Sequence, residues 1–495
     1  MNRNPLEPSL QSCTAFAAAR RTIASVVALA LLGLAGSQIN AAPTTEYFYG
    51  VNCHYAYGWN HYGAVAPADL IAQVQSTGLN IIRDNCSSST QLTRFKQLAQ
   101  AAQGTAVQVY PVLTNSVQAD ESSSYTASYN NAQTMATSLV GLVHYYEIGN
   151  EWENSVSGLF LGGNGDLPSQ YSNSVFIRVR GAVRGLIDGV KSVDPNAVIV
   201  SPTGGWLHYG LLQMLWNGTQ PDGTSGHSVA RWDVTAWHWY SDMNDIENAG
   251  NIHANVLQVL KTSFGKPIWL TEFGVRPNYG DGSEAQKSAF LTGSLGYSKW
   301  VSVASTYNIQ SVLNYEFYDD TSEIGYGLYN LDGVTPKQRW TDVHNFIIAH
   351  PAPFTVETES LDVAATSGDT HRIFASPQFS GGYGTILDAN AVGDYVTYVL
   401  PNGVPGTYNV RVGVKKASTR GIFQMAIGIA GNPSLTNIGS PQDLYAPSDT
   451  FTELNIGTWT PGTTSDKWIR FTIVGKNGSS TGFSEAFDYI RIIPQ

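Results

Sequence analysis

The sequence predicts an α/β (β/α)8 TIM barrel over residues 43–350, followed over 355–495 by an all-β antiparallel β-sandwich of jelly-roll type. Three observations predict it. Eight short, apolar, β-prone runs alternate with amphipathic helical stretches, the pattern of a parallel sheet covered by helices. A stiff junction, His350-Pro-Ala-Pro-Phe354, then ends that alternation. Beyond it the apolar residues recur every second position, as Tyr408, Val410, Val412 and Val414 do, which is the period of half-buried strands.

The first 42 residues read as an export signal. Arg20-Arg21 precede an apolar run from Thr22 to Gly36, and small residues follow at Ala41-Ala42. The run is too short to span a bilayer comfortably, and Thr22-Ile23 fits a twin-arginine signal poorly. Ordinary export is expected, with a mature protein that is secreted or periplasmic. No later segment offers a membrane span. Cys13 leaves with the signal, so Cys53 and Cys86 remain, just past the first and second strands. Two readings stay open for them: a disulfide in an oxidising compartment, or two buried thiols.

The expected barrel strands are Tyr47–Asn52, Asn80–Asp84, Val107–Leu113, Val143–Asn150, Ala197–Ser201, Val234–Tyr240, Ile268–Phe273 and Val312–Phe317. Helices are expected at Pro67–Ser76, Gln91–Gln103, Ser174–Val193, His253–Phe264 and Ala285–Tyr307. Asp194-Pro195-Asn196 stops the third of these before strand five. No internal repeat interrupts the series.

Composition narrows the partners. Charged residues are 13% of the chain and aromatics 11%, with 26 Tyr and 12 Trp, which suits neutral, hydroxyl-rich ligands that stack on rings. A net charge of -11 excludes nucleic acid and anionic membrane as favoured partners. The histidines lack a His-Glu-x-x-His spacing, and no Gly-x-Ser-x-Gly elbow or phosphate loop occurs. Catalysis is therefore expected to need no metal or cofactor.

The chemistry is signalled at two strand ends. His144-Tyr-Tyr-Glu-Ile-Gly-Asn150-Glu151-Trp152 and Pro267-Ile-Trp-Leu-Thr-Glu272-Phe-Gly are apolar runs that stop at a carboxylate. Ionised carboxylates leave water at a cost unless paired, so two of them at strand ends point to acid and nucleophile or base roles. In a (β/α)8 barrel those ends build the active site.

Asn150-Glu151 on strand four, His238-Trp-Tyr240 on strand six and Thr271-Glu272-Phe-Gly on strand seven resemble the clan of retaining (β/α)8 glycoside hydrolases. That clan holds cellulases, β-mannanases and β-xylosidase-like enzymes, of the family 5 or 39 kind, and the resemblance spans residues 45–348 with Gly327–Lys337 as its last strand-to-helix passage. It implies that Glu151 is the general acid/base and Glu272 the nucleophile. The pair would stand about 5–5.5 Å apart, which raises the acid's pKa by like-charge repulsion. Asn150 would bond the sugar 2-hydroxyl, Tyr240 would hold Glu272, and His238 would sit beside it. Arg83, ending strand two, matches the clan's arginine near the nucleophile. Tyr315-Glu-Phe317-Tyr318 stands where the clan often carries a tryptophan platform.

Other polar residues receive plainer roles. Glu147 is expected to be a structural partner for Arg83, Glu316 a satisfied structural carboxylate, and Glu153 a solvated loop residue. His54, Trp206 and Trp237 are expected to line subsites, and the loop Asn154–Gln170 to wall one end of a cleft or cover the barrel.

Val356-Glu357-Thr-Glu359-Ser, Gly393–Tyr398, Gly406–Val412, Gly475-Lys-Asn477 and Phe487-Asp488-Tyr-Ile resemble a carbohydrate-binding module of the family 6/35 type. In such modules a first-strand glutamate and a last-strand aspartate hold a structural Ca²⁺, which makes Glu357, Glu359 and Asp488 the candidate ligands. Tyr383 and Trp459 are candidate sugar platforms. The expected protein is thus a monomeric, secreted, retaining β-glycosidase acting on a polysaccharide or oligosaccharide. The competing class is a sugar-binding protein that does not cleave. Sugar identity, and endo against exo action, lie in loop shape and are not legible in composition.

Overall fold

The computed structural model describes residues 44–45, 48–114, 116–376, 378–400, 407–463 and 465–494. Residues 1–42, read from the sequence as an export signal and including Cys13, lie outside the described residues. After a short strand β1 (Thr44–Thr45), nine parallel strands form one sheet: β2 (Tyr49–Asn52), β3 (Ile81–Asn85), β4 (Gln108–Leu113), β5 (Tyr145–Ile148), β6 (Val198–Val200), β7 (Gly204–Gly205), β8 (Thr235–Tyr240), β9 (Ile268–Gly274) and β10 (Ile309–Asn314). Their order is β6-β5-β4-β3-β2-β10-β9-β8-β7. Parallel bridges from Val200 to Val234 and from Asn150 to Thr203 link the two ends of that order, so the sheet curls back on itself.

Parity then sorts the side chains. Ile81, Tyr110, Val200, Ala236, Trp269 and Leu313 pack together in one small apolar cluster. The opposite faces of the strands join the helices in a much larger one. The Asn173–Val193 helix lies against Glu121–Leu139 at Gly181, Gly185 and Gly189, where any β-carbon would strike the backbone carbonyls of Glu121, Tyr125 and Tyr129. Glycine every fourth residue is what lets the two helices approach so closely.

All eight expected barrel strands fall on observed ones, but the last is displaced: β10 ends at Asn314, so Tyr315–Phe317 follow it as a loop. The expected helix Ala285–Tyr307 is two helices, Glu284–Thr292 and Tyr297–Tyr307. Gly293 and Gly296 turn the chain between them, with no room for a side chain beside the carbonyls of Ala289, Phe290 and Leu291. Glu121–Leu139 was not expected to be helical, because its Ser- and Thr-rich sequence hides the apolar stripe; Asp120 starts it by accepting from the Ser123 N–H at 2.8 Å. No helix among the described residues is long and apolar enough to cross a membrane.

The region after residue 353 is β-rich. Its strands are β11 (Phe354–Glu357), β12 (Val363–Thr366), β13 (His371–Ala375), β14 (Tyr383–Leu387), β15 (Tyr395–Leu400), β16 (Tyr408–Lys416), β17 (Gly421–Ile429), β18 (Thr436–Asp443), β19 (Thr450–Trp459), β20 (Lys467–Lys476) and β21 (Glu485–Pro494). They form two antiparallel sheets, one of seven strands that includes β1 and one of five. Both sheets contribute to a shared core, in which Val410 and Ile490 come from one and Phe423 and Phe471 from the other. The β1 strand pairs with β11, Thr44 opposite Thr355, so the start of the described chain is stitched to this region.

Candidate active site

Arg83, on β3, is the hub of the site. It is 4% exposed, and its guanidinium donates to both Glu147 oxygens (2.8 and 2.7 Å), to Glu272 Oε1 (2.7 Å), to Asn52 Oδ1 (2.8 Å) and to Asn150 Oδ1 (2.5 Å). Glu147 also accepts from the Thr203 hydroxyl. A buried guanidinium is tolerable only when its fork of donors is filled this way. Glu147 is therefore the structural partner that was expected.

Glu272, on β9, has its other oxygen held by the Tyr240 hydroxyl, which donates at 2.6 Å. Burial and the neighbouring Glu272 charge push the Tyr240 pKa up, so the hydroxyl keeps its proton and stays a donor. His238 stands between the two glutamates, its Nδ1 2.8 Å from Glu151 Oε1 and 3.3 Å from Glu272 Oε2. One carboxyl oxygen from each glutamate and a His238 nitrogen lie within 4.8 Å of one another. The sequence placed His238 beside Glu272 alone; in fact it bridges the pair.

Glu151 lies beyond the end of β5, as the residue that begins a short helix, Trp152–Ser155. Its backbone is left-handed, φ 43° and ψ 60°, a conformation that costs a non-glycine residue free energy and is found where position matters. Gly149 (φ 93°) makes the turn, because any side chain there would run into the Trp152 indole. Burial pushes the Glu151 carboxyl up, but the His238 hydrogen bond and charge, then Asn154 and Arg83, outweigh it and hold the group at about 2. That reverses the raised acid expected from like-charge repulsion: His238 occupies the space between the carboxylates and answers both.

A small cavity of about 200 Å³ opens beside Glu272, lined by His54, Trp59, Asn150 and Tyr315 among others. His54 lines this small cavity, with Nδ1 2.6 Å from Asp320 and 3.2 Å from Glu316. Trp59 is 42% exposed and stacks on Tyr57 at 4.2 Å. A larger cavity of about 650 Å³ adjoins through Tyr57, Asn85 and Asn150, with Ser155, Val156 and Ser157 on one side, so the loop after Glu151 forms a wall.

Several expected placements are corrected. Trp237 is fully buried and packs outward, because strand alternation turns His238 and Tyr240 to the site and Trp237 and Trp239 to the helices. Trp206 stacks on Trp239 at 5.9 Å and lines neither cavity. Glu153 is 4% exposed, not solvated: its Oε1 accepts from the Gly205 N–H and faces His208 Nδ1, both at 3.3 Å. Glu316 makes no hydrogen bond through either buried oxygen, His54 Nδ1 at 3.2 Å being its one ion-pair contact, and burial pushes its carboxyl well up. Cys53 and Cys86 are buried free thiols rather than a disulfide. Cys53 is directed at Tyr62, and Cys86 at the Met135 sulfur 3.8 Å away, so the two turn to different helices.

Sequence reasoning missed Asn52, Asn154, Asp320 and Glu323. Asn52 carried the same signal as the glutamates, a polar residue closing a buried strand; its amide donates to the Thr271 carbonyl at 2.9 Å. Asn154 donates to Glu151 Oε2 at 3.1 Å from the short helix Trp152–Ser155, too brief to show a pattern in the sequence.

In the β-rich region Ser380 links Glu357 and Asp488, but with Glu359 the three do not form a group whose ligand atoms all lie within 4.8 Å of one another. Ser380 donates its hydroxyl to Glu357 (2.7 Å) and its N–H to Asp488 (3.2 Å), yet one oxygen of each of the three carboxylates is buried without a partner. Burial raises Glu359 and Asp488 to about 7, with the neighbouring Glu357 adding to both. Trp459 is buried against Tyr408 and is no platform; Tyr383 is 52% exposed.

Residues 216–315, which carry His238, Tyr240 and Glu272, match the family model described as "Glycosyl hydrolase catalytic core". No curated protein matches the chain. Among solved structures, a Paenibacillus xanthan lyase is 31% identical over 30% of this chain, with a TM-score of 0.26, and the match spans only 13% of that protein's length. The virulence factor SghA from Agrobacterium tumefaciens is 12% identical, covering 61% of this chain and 96% of its own, at a TM-score of 0.45. A β-glucosidase from Thermotoga maritima is 11% identical over 61% and 97% respectively, at 0.46. With these scores below 0.5, the fold rests on strand order and not on these likenesses.

Proposed function

We propose that the protein is a secreted glycoside hydrolase that cleaves β-glycosidic bonds of a polysaccharide or oligosaccharide with retention. The nine parallel strands are read as an eight-stranded barrel whose fifth strand is interrupted as β6 and β7. One observation carries the mechanism: carboxyl oxygens of Glu151 and Glu272 lie within 4.8 Å, across His238. Inverting enzymes leave roughly 6.5–9.5 Å between their carboxyl groups to admit a water, and retaining enzymes about 5–5.5 Å.

In this reading Glu272 attacks the anomeric carbon, with Oε1 oriented by Arg83 and Oε2 by Tyr240. Asn150 meets the sugar 2-hydroxyl, and Arg83 fixes its amide. Glu151 delivers a proton to the leaving oxygen and later takes one from water. The 2.8 Å contact with His238 holds the free carboxyl at about 2, so a bound sugar must displace that contact for Glu151 to carry the proton that the departing oxygen takes up as negative charge builds on it. The same low value favours the competing reading, a sugar-binding barrel that does not cleave.

The β-rich region is read as a carbohydrate-binding β-sandwich. One oxygen of each of Glu357, Glu359 and Asp488 is buried without a partner, and on that ground these hard donors would hold Ca²⁺ once drawn together around it. Bound there, the ion would tie the first strand of the region to the last.

The decisive experiment is a panel of β-linked polysaccharides with product masses and anomeric NMR. The expected outcome is a first-formed β-anomer, lost in Glu272→Ala. First-formed α-anomer would exclude double displacement, and no turnover across the panel would favour the non-cleaving barrel.

A further inference from the structure

We infer that the substrate carries an anionic substituent, a carboxylate or sulfate, that is received by Arg178 in the larger arm of the cleft. This rests on the glycan-binding reading of the same site. Arg178 lies on the Asn173–Val193 helix and lines the cavity of about 650 Å³ that adjoins the catalytic one through Tyr57, Asn85 and Asn150. Every other residue lining that arm is neutral, with Ser87, Thr114, Ser116 and Ser157 supplying short hydroxyl side chains.

The barrel's other guanidiniums show what is unusual. Arg83 is filled by Glu147 and Glu272, Arg180 and Arg184 both reach Glu121, Arg276 meets Asp242, and Arg339 meets Glu284, while Arg94 and Arg231, which meet no carboxylate either, each donate to two backbone carbonyls. Arg178 is half-buried and donates one bond, to the Gln118 carbonyl at 3.3 Å. Among the described residues no carboxylate pairs with it. An arginine has five N–H donors in a planar fork that matches carboxylate and sulfate oxygens. A partly desolvated fork with donors to spare, facing a groove of hydroxyl-sized partners, suits a sugar acid better than a neutral ring.

The position also separates charges. Glu272 and Glu323 line the small cavity and not the large one, so an anion at Arg178 avoids both. The chain's net charge of -11 repels an acidic polymer at long range, so any preference for one must come from this local contact.

The test uses Glu272→Ala full-length protein, to bind without turnover. Calorimetry compares β-linked fragments bearing uronate, ketal-linked carboxylate or sulfate groups with carboxyl-reduced or desulfated counterparts of each. The expected result is at least one fragment that binds about tenfold tighter than its neutral twin, the worth of one charge-assisted bond. The three arms identify the anion. That preference should fall toward unity in Glu272→Ala/Arg178→Gln, and shrink as salt is raised with Arg178 intact. Equal or absent binding across every pair overturns the inference, as does a preference that survives Arg178→Gln or ignores salt. Turnover of neutral glycans with no acid preference removes this inference alone. Arg178-dependent binding by a wild type that cleaves nothing removes the hydrolase reading alone.

Discussion

The barrel mouth and the edge of the β-rich region each gather three carboxylates, and they handle them in opposite ways. At the mouth Glu147, Glu272 and Glu151 are met by Arg83, Tyr240 and His238. At the edge Glu357, Glu359 and Asp488 meet one serine and each other, and three of their oxygens are buried without a partner. Paired carboxylates are a self-contained lattice able to keep charge in place for chemistry. Unpaired ones ask for a cation from outside.

The largest effect should come from breaking the lattice at its hub. Arg83→Met leaves Glu147, which is fully buried, without its guanidinium, a loss of about 3–5 kcal/mol for an uncompensated buried charge. Turnover should vanish with it, since Glu272 and Asn150 lose the same partner. Urea unfolding and kcat report the two losses. A variant of unchanged stability would mean the mouth is not held by this residue, and the contrast with the edge would fail.

Much of this lattice was legible from strand-end chemistry. Glu151, Glu272, Asn150, Arg83, Tyr240 and His238 all close barrel strands or follow them, and a polar residue ending an apolar run needs a reason. Parity was legible too, yet was not applied to Trp237, which alternates with His238 and so must face away. Loop residues gave no such signal. Glu153 is buried because Gly205 and His208 come to meet it, and both arrive from a distant part of the chain. The Glu121–Leu139 helix was hidden by its own composition, since glycines on the facing helix substitute for large apolar contacts. At the edge Glu357, Glu359 and Asp488 were readable as candidates, while their lack of partners needed the tertiary structure.

The next largest effect separates the roles of the two glutamates at the mouth. Glu151→Ala should lose about 10²–10⁴-fold on unactivated glycans, where the leaving oxygen needs a proton. Activated aryl glycosides should lose about tenfold or less. Equal loss on both substrates would show that Glu151 holds structure and delivers no proton.

At the edge the same logic gives a pH-dependent stability. Glu359 and Asp488 are raised to about 7 in the folded protein, against roughly 4 when unfolded. A carboxyl raised by folding contributes stability that is full below the unfolded value and is lost as pH climbs through about 7. Without Ca²⁺ the β-rich region should melt lower at pH 8 than at pH 5. Ca²⁺ at a hundredfold over its Kd should restore about 2.7 kcal/mol at pH 8 and almost nothing at pH 5, where protons occupy the site. Scanning calorimetry of the full chain, with and without chelator, measures both arms. Indifference to Ca²⁺ at pH 8 would place these carboxylates on a level with those of the mouth, self-contained after all.

The smallest effect lies in where the mouth keeps its proton. Burial alone would raise Glu151; the His238 hydrogen bond and charge bring it to about 2. His238→Asn removes that charge and leaves the carboxyl governed by burial and the nearby Glu272, so its pKa must rise. The basic limb of kcat/KM, which reports loss of the acid's proton, should then move upward by about one unit. A downward move would assign the limb to the histidine itself, with Glu151 only passing its proton on. An unmoved limb would mean that neither group sets it, and that the 2.8 Å contact orients Glu151 without tuning it.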